Sequence, residues 1–440
     1  MSEQSTGTKR VSIVSFYSPP ASGSAHTFVS NLVGLVASTS TVTLIGSAPS
    51  STSAIDVGDV HVAYEPIAFV PISDRIKRRL RRGPTTSPVA PSAPVAPSAP
   101  VAPSATGATG TTDRKPTGLF ARAKEVVWYS IIPDRQVMWA KGATLALLRQ
   151  RKNRPDHIIG VFRPSSSLIA AMLGAKLMRV PWTAILMDPW SEMVSSFEHR
   201  PAPLKRLDAW IDQLVLSRAT YVVAVTPQYQ KRLLERGLKN VLWCPTIPEL
   251  SSLIAANPVL PERPEVTNLL YCGSLYGELR DYRTLIDGLA HANQDGPQFH
   301  LSVAGHNLGP LLHYANERGV SEAVTSLGTI PWTEATGRMK GPVINVILLW
   351  NGPERYMIPS KLFECLVAGR PILAIGPVDD PVVGHLPKDQ SVCAQTAQSV
   401  AEGVRHLAPL CADDASPRMD FFESCQREFA LLPQRLGLTS

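Results

Sequence analysis

The sequence predicts an α/β protein made of two successive nucleotide-type folds. Three observations carry this reading. An apolar, β-rich run at 11–17 passes through a small-residue loop into a helix-like segment at 27–37, the strand–loop–helix opening of such folds. The same order restarts at 268–272, which leads through the loop 273–280 into a helix at 282–292. Between the two, residues 245–264 are punctuated by prolines and read as a hinge.

Composition bounds the rest. A chain of 440 residues is expected to form two or more domains. An apolar content of 44% with 18% charged residues is that of a globular protein. The net charge of +7 favours anionic partners: phosphorylated donors, lipid head groups or nucleic acid. No run of eighteen apolar residues predicts a membrane span, and the opening MSEQSTGTKR has no apolar signal core. Cysteines 244, 272, 365, 393, 411 and 425 form no CxxC pair, so they read as reduced thiols of a cytoplasmic protein, with no metal site or disulfide frame.

In chain order, a second strand is expected at 42–45. The stretch 75–82, from Arg75 to Arg82, then packs six cations into eight residues, with Ile76 and Leu80 on one helical face. It reads as a short interfacial helix on an anionic membrane surface, with a solvated basic loop as the plainer alternative. Nucleic acid is not expected there, because no aromatics interleave the charges. Residues 83–118 contain PVAPSA three times over at 88–105 and read as an extended spacer inserted in the first domain. Residues 119–151 are helix-rich, with a turn at Pro133-Asp134. A strand at 157–162, a helix at 165–177 and a strand at 182–187 follow.

That last strand ends in Asp188-Pro189-Trp190. A carboxylate there sits on the ligand-binding edge of a parallel sheet. A capping Asp188 and a core Trp190 are the ordinary alternatives to a ligand contact. A helix at 209–219, a strand at 221–225, a helix capped by Thr226 and a strand at 241–244 complete the first domain. In the second, Gly273 permits close backbone approach, and Arg280 could clamp a phosphate, with Arg283 a second candidate. Strands are expected at 300–304 and 343–350, a strand-and-turn step at 326–331, and a final helix at 421–432.

The stretch 354–377 organises the site. Ser360 reads as the N-cap of a helix whose apolar face is Leu362, Phe363, Leu366 and Val367; Gly369 and Pro371 stop it, and a buried strand runs over 372–375. Lys361 and Glu364 lie near one face, one turn into the helix. A helix N-terminus and a lysine suit a diphosphate, and a carboxylate suits vicinal ribose hydroxyls. An ordinary solvated Lys–Glu pair is the equal alternative.

These residues resemble the donor-binding segment of family 4-like retaining glycosyltransferases of the GT-B fold, two Rossmann-like domains facing across a cleft. The resemblance implies that Glu364 holds the donor ribose, that Arg280 and the turn at Gly273 meet the diphosphate, and that the step at Gly328 holds the base through backbone groups. Asp-Pro-Trp resembles a segment of polysaccharide-building members, which implies that Asp188 accepts a sugar or acceptor hydroxyl and that Trp190 stacks on a sugar ring. The family's first motif Glu would fall at Tyr356, with Glu354 two residues earlier, and Gly23 and Ser24 stand where the family often has two glycines near sugar and acceptor. His26 beside them is a candidate polar contact, though a surface histidine is the commoner case.

The expected domains are 1–245 for the acceptor, 246–415 for the donor, and a C-terminal helix in 416–440 that crosses back. The expected function is transfer of a sugar from a nucleotide-diphosphate donor to a glycan or lipid-linked acceptor hydroxyl with retention, in cell-surface polysaccharide or glycolipid synthesis. A nucleotide sugar serves as co-substrate, with no tightly bound cofactor or metal. The expected place is the cytoplasm, peripheral on the inner face of the cell membrane. Two alternatives stand: a catalytically degenerate nucleotide-sugar-binding or scaffold protein, and a nucleotide-sugar epimerase.

Overall fold

The computed structural model describes residues 8–19, 24–47, 54–57, 60–67, 133–134, 136–192, 200–248, 250–275, 279–296, 298–352 and 356–439. Gly23, Glu354, the basic run 75–82 and the spacer 83–118 lie outside the described residues.

The first domain comprises β1 (Lys9–Ser15), α1 (Ser24–Ala37), β2 (Ser40–Gly46), β3 (Ala54–Val57), β4 (Val60–Pro66), α2 (Val137–Arg149), β5 (His157–Phe162), α3 (Ser165–Met178), β6 (Trp182–Leu186), α4 (Ala202–Leu216), β7 (Tyr221–Ala224), α5 (Pro227–Glu235) and β8 (Val241–Trp243). Its strands form one sheet in the order β3-β4-β2-β1-β5-β6-β7-β8. All neighbours are parallel except the short β3–β4 pair. Strand order reverses beside β1, which pairs with both β2 and β5, and a crevice forms at the carboxyl ends there.

The second domain adds α6 (Ser251–Ala255), β9 (Thr267–Cys272), α7 (Tyr282–Ala292), β10 (Phe299–Ala304), α8 (Gly309–Glu317), β11 (Val324–Gly328), α9 (Trp332–Lys340), β12 (Val343–Leu348), α10 (Ser360–Ala368), β13 (Ile372–Ile375), β14 (Ser391–Ala394), α11 (Ala397–Leu407), α12 (Asp420–Ala430) and α13 (Leu432–Arg435). Its sheet, β11-β10-β9-β12-β13-β14, is parallel throughout. The switch point is now between β9 and β12.

Both sheets are covered on two faces, so β5, β6, β10, β12 and β13 are buried at every position and mostly apolar. Successive residues serve opposite cores: Ile159 and Val161 face α1, while Ile158 and Phe162 face α2 and α3. The chain end returns to the first domain. Phe422, Cys425 and Phe429 of α12 and Leu432 of α13 join the core built on β1 and α1, with the Phe28 and Phe429 rings edge to face at 6.1 Å.

Two local expectations are corrected. The helix expected from 209 begins at Ala202: Pro203 lies in its first turn, where the missing N–H costs no hydrogen bond. Ser360 is the first helical residue of α10, and Pro359, in an extended conformation, holds the N-cap position with no side-chain cap. Gly369 ends α10 in the left-handed region at φ 67°, where a Cβ would also meet Pro417 N at 2.5 Å.

Candidate active site

The carboxyl edges of the two sheets face one another across a cleft of about 1300 Å³. Gly273, Arg280, Ser360, Lys361 and Glu364 line its second-domain wall, and Asp188 its first-domain wall.

Helix α10 carries the most concentrated chemistry. Glu364 is 4% exposed, and Lys361 Nζ lies 2.5 Å from its Oε2. The same ammonium sits 4.9 Å from the centre of the Trp332 ring at the start of α9, a cation–π contact. Burial disfavours charge on both partners. On Lys361 the adjoining carboxylate outweighs it, so the ammonium titrates above its usual value; on Glu364 burial prevails, and the carboxyl is pushed up against the pull of Lys361. A buried acid in this state gains from any added hydrogen-bond donor, such as a sugar hydroxyl.

Arg280 is fixed at the mouth of β12. Its backbone bridges to Trp350, Asn351 N–H donates to Leu279 O at 3.1 Å, the guanidinium donates through Nη1 to Leu348 O, and its centre lies 5.3 Å from the Trp350 ring. Arg283 points elsewhere: it is exposed and lies over the rings of Tyr282 and Tyr314, so it belongs to the outer face of α7. Gly273 N–H donates to Ala304 O at 2.8 Å, and Gly305 closes against it so tightly that a Cβ there would lie 2.1 Å from Gly273 O. Gly328 ends β11 at φ 63°, its carbonyl accepting from Gly305 N–H at 2.8 Å; it is exposed and does not line the cleft.

On the opposite wall, Asp188 accepts from Arg163 Nε at 2.8 Å, each about one-third exposed. Both follow strands, β6 and β5, so the parallel register delivers them side by side. Trp190 corrects its expectation. It is fully buried, stacked on Phe162 at 5.9 Å, and donates from Nε1 to Asp208 at 3.3 Å, so neither ring face is open to a sugar. Ala25, Thr27 and Phe28 line the cleft, while His26 packs edge-on against Tyr17 at 5.5 Å. Ser24 opens α1.

The segment entering α10 is tied to the first domain. Tyr356 stacks flat on Tyr229 of α5 at 5.2 Å, donates from its hydroxyl to Glu192 at 2.7 Å, and its carbonyl accepts from Thr226 Oγ1 at 2.5 Å. Glu192 also holds Arg232 and Arg236.

Sequence reasoning passed over Arg163, Trp332, Trp350 and the cleft carboxylate Asp380, which is 4% exposed and accepts from Val382 N–H at 2.9 Å. Arg163 carried the signal used for Asp188, a charge just past a buried strand. The tryptophans carried none, since nothing local says which way a ring turns. Among the described residues no three His, Cys, Asp or Glu side chains gather as a metal site, and no helix is long and apolar enough to cross a membrane.

Residues 89–245 match the family model described as a glycosyl transferase 4-like domain. No curated protein matches the chain. Among solved structures, sucrose-phosphate synthase from Thermosynechococcus elongatus is similar at a TM-score of 0.56 and 13% identity, covering 98% of this chain and 97% of that one. HepE from Anabaena, solved with UDP and glucose, is similar at 0.55 and 12%, covering 98% of each. A glycosyltransferase from Rickettsia africae gives 0.55 and 10%, covering 99% and 98%. At these identities the likeness speaks for the fold. Residues 89–245 are thus similar to the glycosyl transferase 4-like domain, a group that is nucleotide-sugar dependent and retaining, and nearly the whole chain shares the two-domain GT-B fold of these structures.

Proposed function

We propose that the protein moves a hexosyl unit from a nucleoside-diphosphate sugar to a hydroxyl of a glycan or lipid-linked acceptor, in cell-surface polysaccharide or glycolipid synthesis. The observation that supports this best is the pair of half-buried Lys361 and buried Glu364 at the start of α10, facing the Arg163–Asp188 pair across one cleft.

In this reading the diphosphate lies against the N-terminus of α10, whose first N–H groups and dipole favour an anion. Lys361 supplies a point charge, Arg280 a second cation from β12, and Glu364 accepts from the ribose hydroxyls. Gly273 lets backbone approach the phosphates, and Ser360 adds a hydroxyl at the first helical residue. As the bond from the anomeric carbon to the phosphate oxygen breaks, its electron pair goes to the diphosphate; the acceptor hydroxyl oxygen bonds the anomeric carbon on the same face, and its proton passes to the departing diphosphate. The cations meet the charge that develops there. Asp188, oriented by Arg163, receives a hydroxyl of the transferred sugar or acceptor. Closure of the two domains over the donor excludes water and so limits donor hydrolysis.

The test is thermal stabilisation by a panel of nucleoside diphosphates. A ligand at about 100 times its Kd stabilises the fold by roughly 2.7 kcal/mol. One base should stand out. Glu364→Ala should abolish the shift, and Lys361→Ala should weaken binding by about 1.5–3 kcal/mol, roughly ten- to a hundredfold. Unchanged affinity in the Lys361 variant would remove that residue from the site. Binding without turnover on any envelope-derived acceptor would favour a binding or scaffold protein.

A further inference from the structure

Six large apolar side chains stand exposed on three neighbouring helices of the first domain. They are Met138 and Leu145 on α2, Leu173 and Leu177 on α3, and Leu207 and Trp210 on α4; Leu177 is 52% and Trp210 59% exposed. Helix α3 packs against both α2 and α4, and all three bury their inner faces in the same core, so their outer faces form one layer. Their inner faces already hold apolar side chains such as Trp139, Leu147, Leu168 and Val215, which leaves the outer six with no place in that core.

The charges between these side chains have one sign. Lys141 and Arg149 share the exposed stripe of α2 with Met138 and Leu145; Lys176 lies beside Leu177, Arg179 ends α3, and Arg206 lies beside Leu207. Arg151 and Lys152 extend the series past α2. The three helices contain two acidic residues, Asp208 and Asp212, and both are buried at 2% and 0% exposure, paired with Arg200 and Arg236. Among the described residues, the outward face of α2, α3 and α4 is therefore apolar and cationic only.

We infer that this face docks on an anionic lipid bilayer. A basic surface interleaved with Leu, Met and Trp matches a layer of anionic head groups above acyl chains: the cations meet the phosphates, and the apolar side chains enter the boundary, where Trp is favoured. A second copy of this chain would bring two faces of the same charge together. A nucleic acid would satisfy the cations and leave the leucines wet. The face also adjoins the cleft: α3 starts two residues after the cleft residue Arg163, so the docked protein holds its cleft mouth near the head groups. The inference stands apart from the sugar-transfer reading and uses residues outside the 75–82 run.

The test is co-sedimentation of the full chain with vesicles of phosphatidylcholine containing about one-third phosphatidylglycerol, at low salt, against pure phosphatidylcholine. The wild type should partition onto the anionic vesicles. Two variants each should reduce partitioning at least about tenfold with melting temperature unchanged: Leu173→Ser with Leu177→Ser and Trp210→Ser, and Lys176→Glu with Arg206→Glu. Replacing the six basic residues at 75–82 by serine should leave binding by this face in place. The inference fails if the wild type ignores anionic vesicles, if neither variant changes partitioning, or if only the 75–82 variant abolishes it. It also fails if the wild type dimerises in sedimentation and the same two variants return it to monomer, which would give the face to a second copy.

Discussion

His157 opens β5 at 3% exposure, its Nε2 at 2.8 Å from Thr183 Oγ1 on β6. Burial, aided by the positive charge of Lys9, lowers its pKa from 6.5 to about 4. Between those values the unfolded chain binds a proton that the folded one refuses. Stability from this residue is thus complete above about pH 6.5 and is lost as the pH falls towards 4, by up to about 3 kcal/mol. In His157→Asn, the slope of urea-unfolding stability over that window should flatten relative to wild type. Equal slopes would mean that the imidazole titrates normally. Asp208, raised to about 6 by burial against Arg200 and Trp190, works in the opposite sense over pH 4–6, so only the difference between the two proteins isolates His157. Trp190 makes a related point. An Asp-Pro-Trp after a strand is equally consistent with a sugar platform and a core aromatic, and the decision rests on Asp208, which arrives from a helix some twenty residues later to accept its N–H. Residue roles of this kind were not legible locally.

Elements were more legible, and unevenly so. The strands β5 and β13 and the helix α7 stand where the sequence pattern puts them, because continuous apolar runs and a 3.6-residue period are local properties. The short strands β3, β4 and β14 went unread: they are four to seven residues long, and their side chains are only partly buried, so alternation is weak. The turns beside the cleft are set by close approach, which leaves only a glycine as a trace. At Gly305, φ is 142°, and a Cβ would lie 2.1 Å from Gly273 O and 2.7 Å from its carbonyl carbon. No flexible side chain can yield there, since the obstacle is backbone. Gly305→Ala should cost about 1–3 kcal/mol in urea denaturation. The relief must come from moving the turn at Gly273, so nucleoside-diphosphate affinity should fall as well. A stable variant with unchanged nucleotide binding would show that the turn does not shape the site.

At the scale of the molecule, two of the contacts among the described residues tie the domains together beyond the 245–264 connection. One is the return of α12 and α13 onto the β1 core, where Phe429 meets Phe28 and Arg435 donates to Trp243 O at 3.0 Å. The other is Tyr356, which holds the entry to α10 against α5 through ring stacking and the Glu192 hydrogen bond. The helix that carries Lys361 and Glu364 is thereby referenced to the wall that carries Asp188, which makes Tyr356 a strap between the two halves of the site. Its two interactions can be separated. Tyr356→Phe keeps the stack and loses the hydroxyl, at a cost of about 0.5–1.5 kcal/mol; Glu192 keeps Arg232 at 3.1 Å and Arg236 at 3.3 Å, so no buried charge is orphaned. Tyr356→Ala loses the stack too, about 0.5–1.5 kcal/mol more than area burial alone accounts for. The alanine variant should show a larger radius of gyration by small-angle scattering and weaker nucleotide binding, while the phenylalanine variant keeps the wild-type radius. If both variants match the wild type in radius and affinity, the domains are held by the C-terminal helices alone, and Tyr356 is a surface contact that happens to face the motif position.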